Sequence, residues 1–152
     1  MIRVQAQDFD IGAEIAALRE GRSDAGAVAA FVGSVRGRAK SGALTAMTLE
    51  HYPGMTEKEL ARIEAEAHAR WPLLGSLIVH RTGRLLPGDN IVLVVTLSAH
   101  RHAAFEAAQF LMDYLKTSAP FWKTEETGEG SHWVAAHESD DARAARWSRA
   151  RE

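Results

Sequence analysis

The chain has 152 residues, 46% apolar and 25% charged, with a formal net charge of −2; that length predicts one compact domain, and those proportions are ordinary for a globular protein. No run reaches the roughly 18 apolar residues that a bilayer span needs, and the N-terminus MIRVQAQDFD lacks a basic-then-apolar export pattern, so a cytoplasmic protein is expected. The absence of cysteine excludes disulfides, thiolate metal sites and a cysteine nucleophile, while the slightly acidic balance gives no nucleic-acid signal.

Ile2 to Ala6 reads as a short strand, after which Asp10 is placed to cap a helix carrying Ile11, Ile15 and Leu18 to near Glu20. Gly26 to Val35 is an apolar run suited to a buried strand, and it leads into a basic loop, Arg36 to Gly42, before a second strand, Ala43 to Tyr52. Pro53-Gly54 makes a turn. Thr56 and Glu59 then have the spacing of a capping box for a helix whose apolar positions Leu60, Ile63, Ala67 and Trp71 share a face and which Pro72 stops. Ser76 to His80 and Ile91 to Ala99 are further apolar strands, separated by the turn Pro87-Gly88-Asp89-Asn90.

From Ala103 the period becomes helical, with Phe105, Ala108, Met112 and Leu115 expected toward the core. Pro120 ends that helix. Phe121 to Glu126 and Ser131 to Ala136 form a hairpin through Gly128-Glu129-Gly130, and a last helix begins at Ser139 or Asp140 and passes Trp147, acids early and arginines late as the helix dipole favours. The sum is an α+β domain with mixed, largely antiparallel pairing.

Lysine is scarce: Lys40, Lys58, Lys116 and Lys123 stand against fourteen arginines, and two of the four flank Pro120. Spacing leaves two readings of that pair open. Lys116 caps helix carbonyls while Lys123 is a solvated strand residue, or the bend brings both ammonium groups to one anionic ligand. In the second case Phe121 and Trp122 put Lys123 beside apolar surface, where burial and a clustered cation lower a lysine's pKa. Gly33-Ser34-Val35-Arg36-Gly37-Arg38-Ala39-Lys40 offers backbone N–H groups and an arginine fork for a phosphate, although it matches neither a Walker loop nor G-x-S-x-G. His100-Arg101-His102 closes a strand and opens a helix. It suits an anion or a helix start better than a metal, because no third ligand is spaced to help. His51, His68 and His80 read as structural or exposed, and His132 and His137 stay open. Glu125-Glu126 and Asp140-Asp141 read as exposed charge rather than paired catalytic acids.

The blocks LEHYPGMTEKEL (Leu49 to Leu60), SAHRHAAFEAAQFLMDYLKTSAPFWK (Ser98 to Lys123) and HWVAAHESD (His132 to Asp140) together resemble the large, catalytic subunit family of molybdopterin synthase, over about Gly26 to Trp147. The resemblance implies an α/β-hammerhead-type domain with a small β-hairpin subdomain, dimerising inside a heterotetramer. It implies a cyclic pyranopterin monophosphate substrate and two sulfurs delivered as the C-terminal Gly-Gly thiocarboxylate of a small ubiquitin-like partner, with no cofactor, metal, nucleic acid or membrane. Carried over by position, Lys116 and Lys123 are the catalytic lysines, Arg36, His100 and Arg101 hold the pterin and its phosphate, and Ser34, Val35, Thr124 and Glu125 line the site. His137 stands where the family often has an arginine contributed to the neighbouring subunit, and a histidine lacks the guanidinium fork. A non-catalytic module for a phosphorylated metabolite or single-stranded RNA, and a scaffold for the small subunit, are the competing readings.

Overall fold

The computed structural model describes residues 1–134 and 138–149. In chain order the elements are β1 (Ile2–Gln5), α1 (Ile11–Arg19), β2 (Ala27–Ser34), β3 (Arg38–Ala39), β4 (Gly42–His51), α2 (Met55–Arg70), β5 (Leu73–Arg81), β6 (Gly83–Leu85), β7 (Asn90–Ser98), α3 (Arg101–Thr117), β8 (Phe121–Thr127), β9 (Gly130–Val134) and α4 (Glu138–Arg149). One sheet runs β1-β5-β7-β2, with β1 parallel to β5 and the remaining pairs antiparallel. The other runs β3-β4-β8-β9, all antiparallel, with β6 also paired to β4. This is the mixed α+β class expected from the sequence.

Alternation divides the first sheet's side chains between two cores. Leu77, Val79, Leu93 and Val95 point to one face, where Phe9 and the α1 residues Ile11, Ile15 and Leu18 cover them. Ile78, Val92 and Val94 point to the other, packed by Leu60 and Ile63 of α2, Phe110, Leu111 and Leu115 of α3, and Trp147 of α4. Burial on both faces explains why β5 and β7 read as continuous apolar runs. Leu111 is fully buried, and its truncation to alanine costs about 2–5 kcal/mol.

Asp10 caps α1 as expected, its Oδ1 accepting the Ala13 N–H at 2.8 Å. The start of α2 differs from expectation. Gly54 is the cap residue, at φ 85°, and Glu57 rather than Glu59 reaches back to its N–H at 2.7 Å. Thr56 is buried inside the first turn and Glu59 pairs with Arg62. Glycine has no side chain to complete the reciprocal half of a box, so only the acid's half exists. Phe105 is also a correction: 67% exposed, it faces away from the core, which is built from Ala104, Ala107, Ala108, Phe110, Leu111 and Leu115. Ala135 and Ala136, expected to finish β9, lie outside the described residues.

A buried carboxylate fastens α4 to α3. Asp113 accepts the Trp147 indole N–H at 2.7 Å and the Gln109 amide at 2.8 Å, with the Arg146 guanidinium 3.5 Å away. Burying a charge is costly unless it is hydrogen-bonded, so these partners and α3 require one another. Among the described residues no helix is long and apolar enough to cross a membrane.

Candidate active site

The bend that the sequence places at Pro120 is built by short local bonds. Ser118 caps α3 with its N–H on the Tyr114 carbonyl, and Phe121 N–H donates to Ala119 C=O at 2.8 Å, turning the chain into β8. Lys116 is in the last turn of the helix and exposed. In β8, Lys123 pairs with Leu49 and Glu125 with Met47, so both share the face of the β4 core residues, while Thr124 pairs with Thr48 and Trp133 on the opposite face. Thr124 therefore offers the Lys123 face its backbone only.

Lys123 is half-buried, and that burial is the main reason its pKa lies below the usual lysine value. The positive charge of Lys116 pushes in the same direction, as does Arg36, while Glu125 and Asp140 oppose them. Cations from α3 and the loop after β2 thus act on the amine of β8.

Arg36 is held there by its neighbour. The Val35 N–H donates to Asp89 C=O at 2.9 Å, the Val35 carbonyl accepts the Gly88 N–H at 2.8 Å, and the side chain packs with Leu44, Met47, Leu49 and Leu85. Gly88 sits at φ 90°, a conformation glycine adopts without strain. Val35 is thus committed to anchoring the loop. Ser34, beside it, is exposed at a bulge in β2. Arg36 is exposed and has no ion-pair partner among the described residues, leaving its fork for a ligand.

His100 and Arg101 are not brought to this cluster within one chain. They begin α3 and Lys116 ends it, so at about 1.5 Å per residue roughly 22 Å of helix separates them. His102 lies within α3, one residue past Arg101. His137 lies outside the described residues.

Two histidines that read from the sequence as structural or exposed lie against Phe121, in the turn between the lysines. The His80 ring on β5 stacks on Phe121, centroids 3.8 Å apart and planes 16° from parallel. His51 on β4 approaches the same phenyl ring at 6.0 Å. Burial drives the His80 pKa down to about 4 against one raising contact with the Arg81 carbonyl, and the charges of Lys116 and His51 lower it further. A lone histidine closing the run SLIVH gave no hint of this, because the contact arises only when β8 crosses from the second sheet. Elsewhere, a cavity of about 200 Å³ opens among Arg62, Ile63, Glu66, Arg70, Phe110 and Tyr114. Its arginines are already engaged by Glu59, Glu66 and the Trp147 carbonyl, and no lysine lines it.

An α+β fold whose half-buried Lys123 feels the charges of Lys116 and Arg36 from separate elements has the perturbed, clustered cations of a candidate enzyme site. The profile of the MoaE protein family matches residues 4–118, and the chain belongs to that family. A molybdopterin synthase catalytic subunit from Mesorhizobium japonicum is 60% identical over 148 residues, covering 96% of this chain and 92% of the relative. The solved molybdopterin biosynthesis MoaE protein from Burkholderia ambifaria superposes with a TM-score of 0.84 at 55% identity, covering 97% of each chain. A protein-protein complex of subunits 1 and 2 of the molybdopterin-converting factor from Helicobacter pylori shares the fold at TM-score 0.70 and 21% identity, over 90% of each chain. As a member of the family, the chain is a catalytic subunit.

Proposed function

We propose that this chain is the sulfur-inserting subunit that converts cyclic pyranopterin monophosphate to molybdopterin. The two sulfurs arrive as the C-terminal thiocarboxylate of a small ubiquitin-like partner. The observation that carries the reading is the electrostatic influence of Lys116 and Arg36 on the half-buried Lys123. The substrate's phosphate and the partner's thiocarboxylate are both anions, and such a cluster attracts both. Arg36 grips phosphate through paired N–H donors. Lys123, its proton loosened by burial and like charge, neutralises charge that builds as sulfur attacks carbon, and Lys116 positions the thiocarboxylate and moves a proton as oxygen leaves.

His100 and Arg101 reach the phosphate from a second copy of the chain. The support is the exposed surface beside them. Phe105 lies one turn beyond Arg101 on the same helix face, and β2, an edge strand, exposes Phe31 and Val28 nearby. Exposed aromatics on an unpaired edge next to an arginine suit a symmetric interface, in which each copy completes the other's site.

The test is direct reconstitution: the purified chain is mixed with a thiocarboxylated small subunit and the cyclic pterin, and dithiolene product is measured. Product formation that needs the thiocarboxylate supports the reading. Binding of the pterin or of single-stranded RNA without turnover would replace it with a binding module.

A further inference from the structure

Little in the sequence of β8 says which residues of β4 it should pair with. The strand reads FWKTEET, only Thr127 in it is buried, and after Trp122 no apolar side chain remains to mark one face as inward. Strands of that kind slip, and a slip of one residue would turn Lys123 to the opposite face. At its far end β8 is tied through Glu126, whose backbone carbonyl accepts the Thr45 hydroxyl at 2.9 Å and whose carboxylate meets Arg84 at 3.0 Å, next to a register shift between Leu44 and Ala46. The end that carries Lys123 is tied by different residues. Trp122 stands opposite Glu50, and its indole N–H donates to Glu50 Oε2 at 2.7 Å. The same indole packs on the Tyr52 ring, centroids 4.8 Å apart and planes at 55°.

We propose that Trp122 is a positioning residue for Lys123: its bond to Glu50 and its packing on Tyr52 fix the register of β8 on β4, and with it the sheet face and the place at which the amine stands. This rests on the sulfur-transfer reading of the site. The choice of side chain has a physical logic. An indole donates one hydrogen bond and accepts none, and Glu50 is the one carboxylate in β4. A slip of two residues, which would keep every side chain on its face, therefore forfeits the bond just as a slip of one does. Lys123 is the next residue and pairs with Leu49, so it inherits the register directly. The charges that act on its amine are Lys116 from α3, Arg36 from the loop after β2, Glu125 from its own strand and Asp140 from α4.

The experiment compares three variants. Trp122→Ala removes ring and donor, Glu50→Ala removes the acceptor alone, and Glu50→Gln keeps an acceptor without the charge. Expected is a kcat lower by about tenfold or more in Trp122→Ala and by about threefold or more in Glu50→Ala, with KM within about twofold in both. Glu50→Gln should recover to within about twofold of the parent. The Lys123 ammonium is also titrated by nitrogen-15 NMR. A lost register exposes the amine, so its pKa should rise toward the ordinary lysine value in Trp122→Ala and Glu50→Ala. Removing a carboxylate charge alone would lower it, so the direction of the change separates the two causes. Parental kcat in Trp122→Ala, a rise in KM that accounts for the loss, a glutamine variant no better than Glu50→Ala, or a Lys123 titration that stays or falls in Glu50→Ala would each overturn the proposal. Glu50 is exposed, so its two variants decide the matter if Trp122→Ala fails to fold. A parent chain that makes no product sinks the functional reading instead, and the Lys123 titration is read independently of turnover.

Discussion

The two ends of α3 differ in how much of their surroundings the chain itself supplies. At the C-terminal end, the charges of Lys116 and Arg36 act on Lys123, and His80 stacks on Phe121 between the lysines while His51 approaches the same ring at a tilt. At the N-terminal end, His100, Arg101 and Phe105 are all exposed beside an edge strand. The difference teaches that the surroundings of one end of a helix can be supplied by the chain's own packing while the other end is left exposed, so the proposed role of Arg101 depends on a second copy and that of Lys116 does not.

The sharpest way to break this contrast is Lys116→Ala. Product formation should fall at least a hundredfold, the range of a lost proton-transfer group, with circular dichroism and partner binding unchanged because an exposed helix-end lysine contributes little to stability. Near-parental turnover would show the self-contained end to be inert. Mixing comes next. Arg101→Ala and Lys116→Ala chains, each inactive alone, should regain about a quarter to a half of parental activity once subunits exchange, because a hybrid dimer has one intact site. No recovery after verified exchange would place Arg101 outside the shared site.

A smaller effect sharpens the packed half. The unfolded His80 imidazole takes a proton near pH 6.5, whereas the folded one refuses it until about pH 4. The unfolded state therefore binds more protons in that window, and stability falls as pH drops through it, by about 3 kcal/mol. Urea denaturation at pH 7, 5.5 and 4.5 should show this loss in the parent and a flatter profile in His80→Phe. Equal slopes would remove the buried neutral ring. The smallest expected change is in Lys123→Met. Holding a half-buried lysine charged opposes folding at every pH below its depressed folded pKa and ceases to as the amine deprotonates. The variant should gain roughly 2 °C in Tm at pH 7 and less at pH 10.

Much of this was legible in the sequence. Alternation and helical period located every long element, and the rarity of lysine singled out Lys116 and Lys123. What escaped depends on the third dimension. β6 spans only Gly83–Leu85, too short to show an alternation. Phe105 was expected inside because period alone cannot say how wide the buried stripe is: the sheet and two neighbouring helices centre it on Ala104, Ala108, Leu111 and Leu115. The ring contacts of His51 and His80 with Phe121 are set by the meeting of strands from the two sheets, and the distance from Arg101 to Lys116 follows only once one unbroken helix is known to join them.

The buried bond between Asp113 and Trp147 also sets an order of events during biosynthesis. A ribosome delivers both lysines before it delivers that indole, so a nascent chain already carrying the reactive amines still has an unsealed carboxylate in the middle of α3. The helix that carries Lys116 gains that hydrogen bond only once the later turns of α4 have emerged.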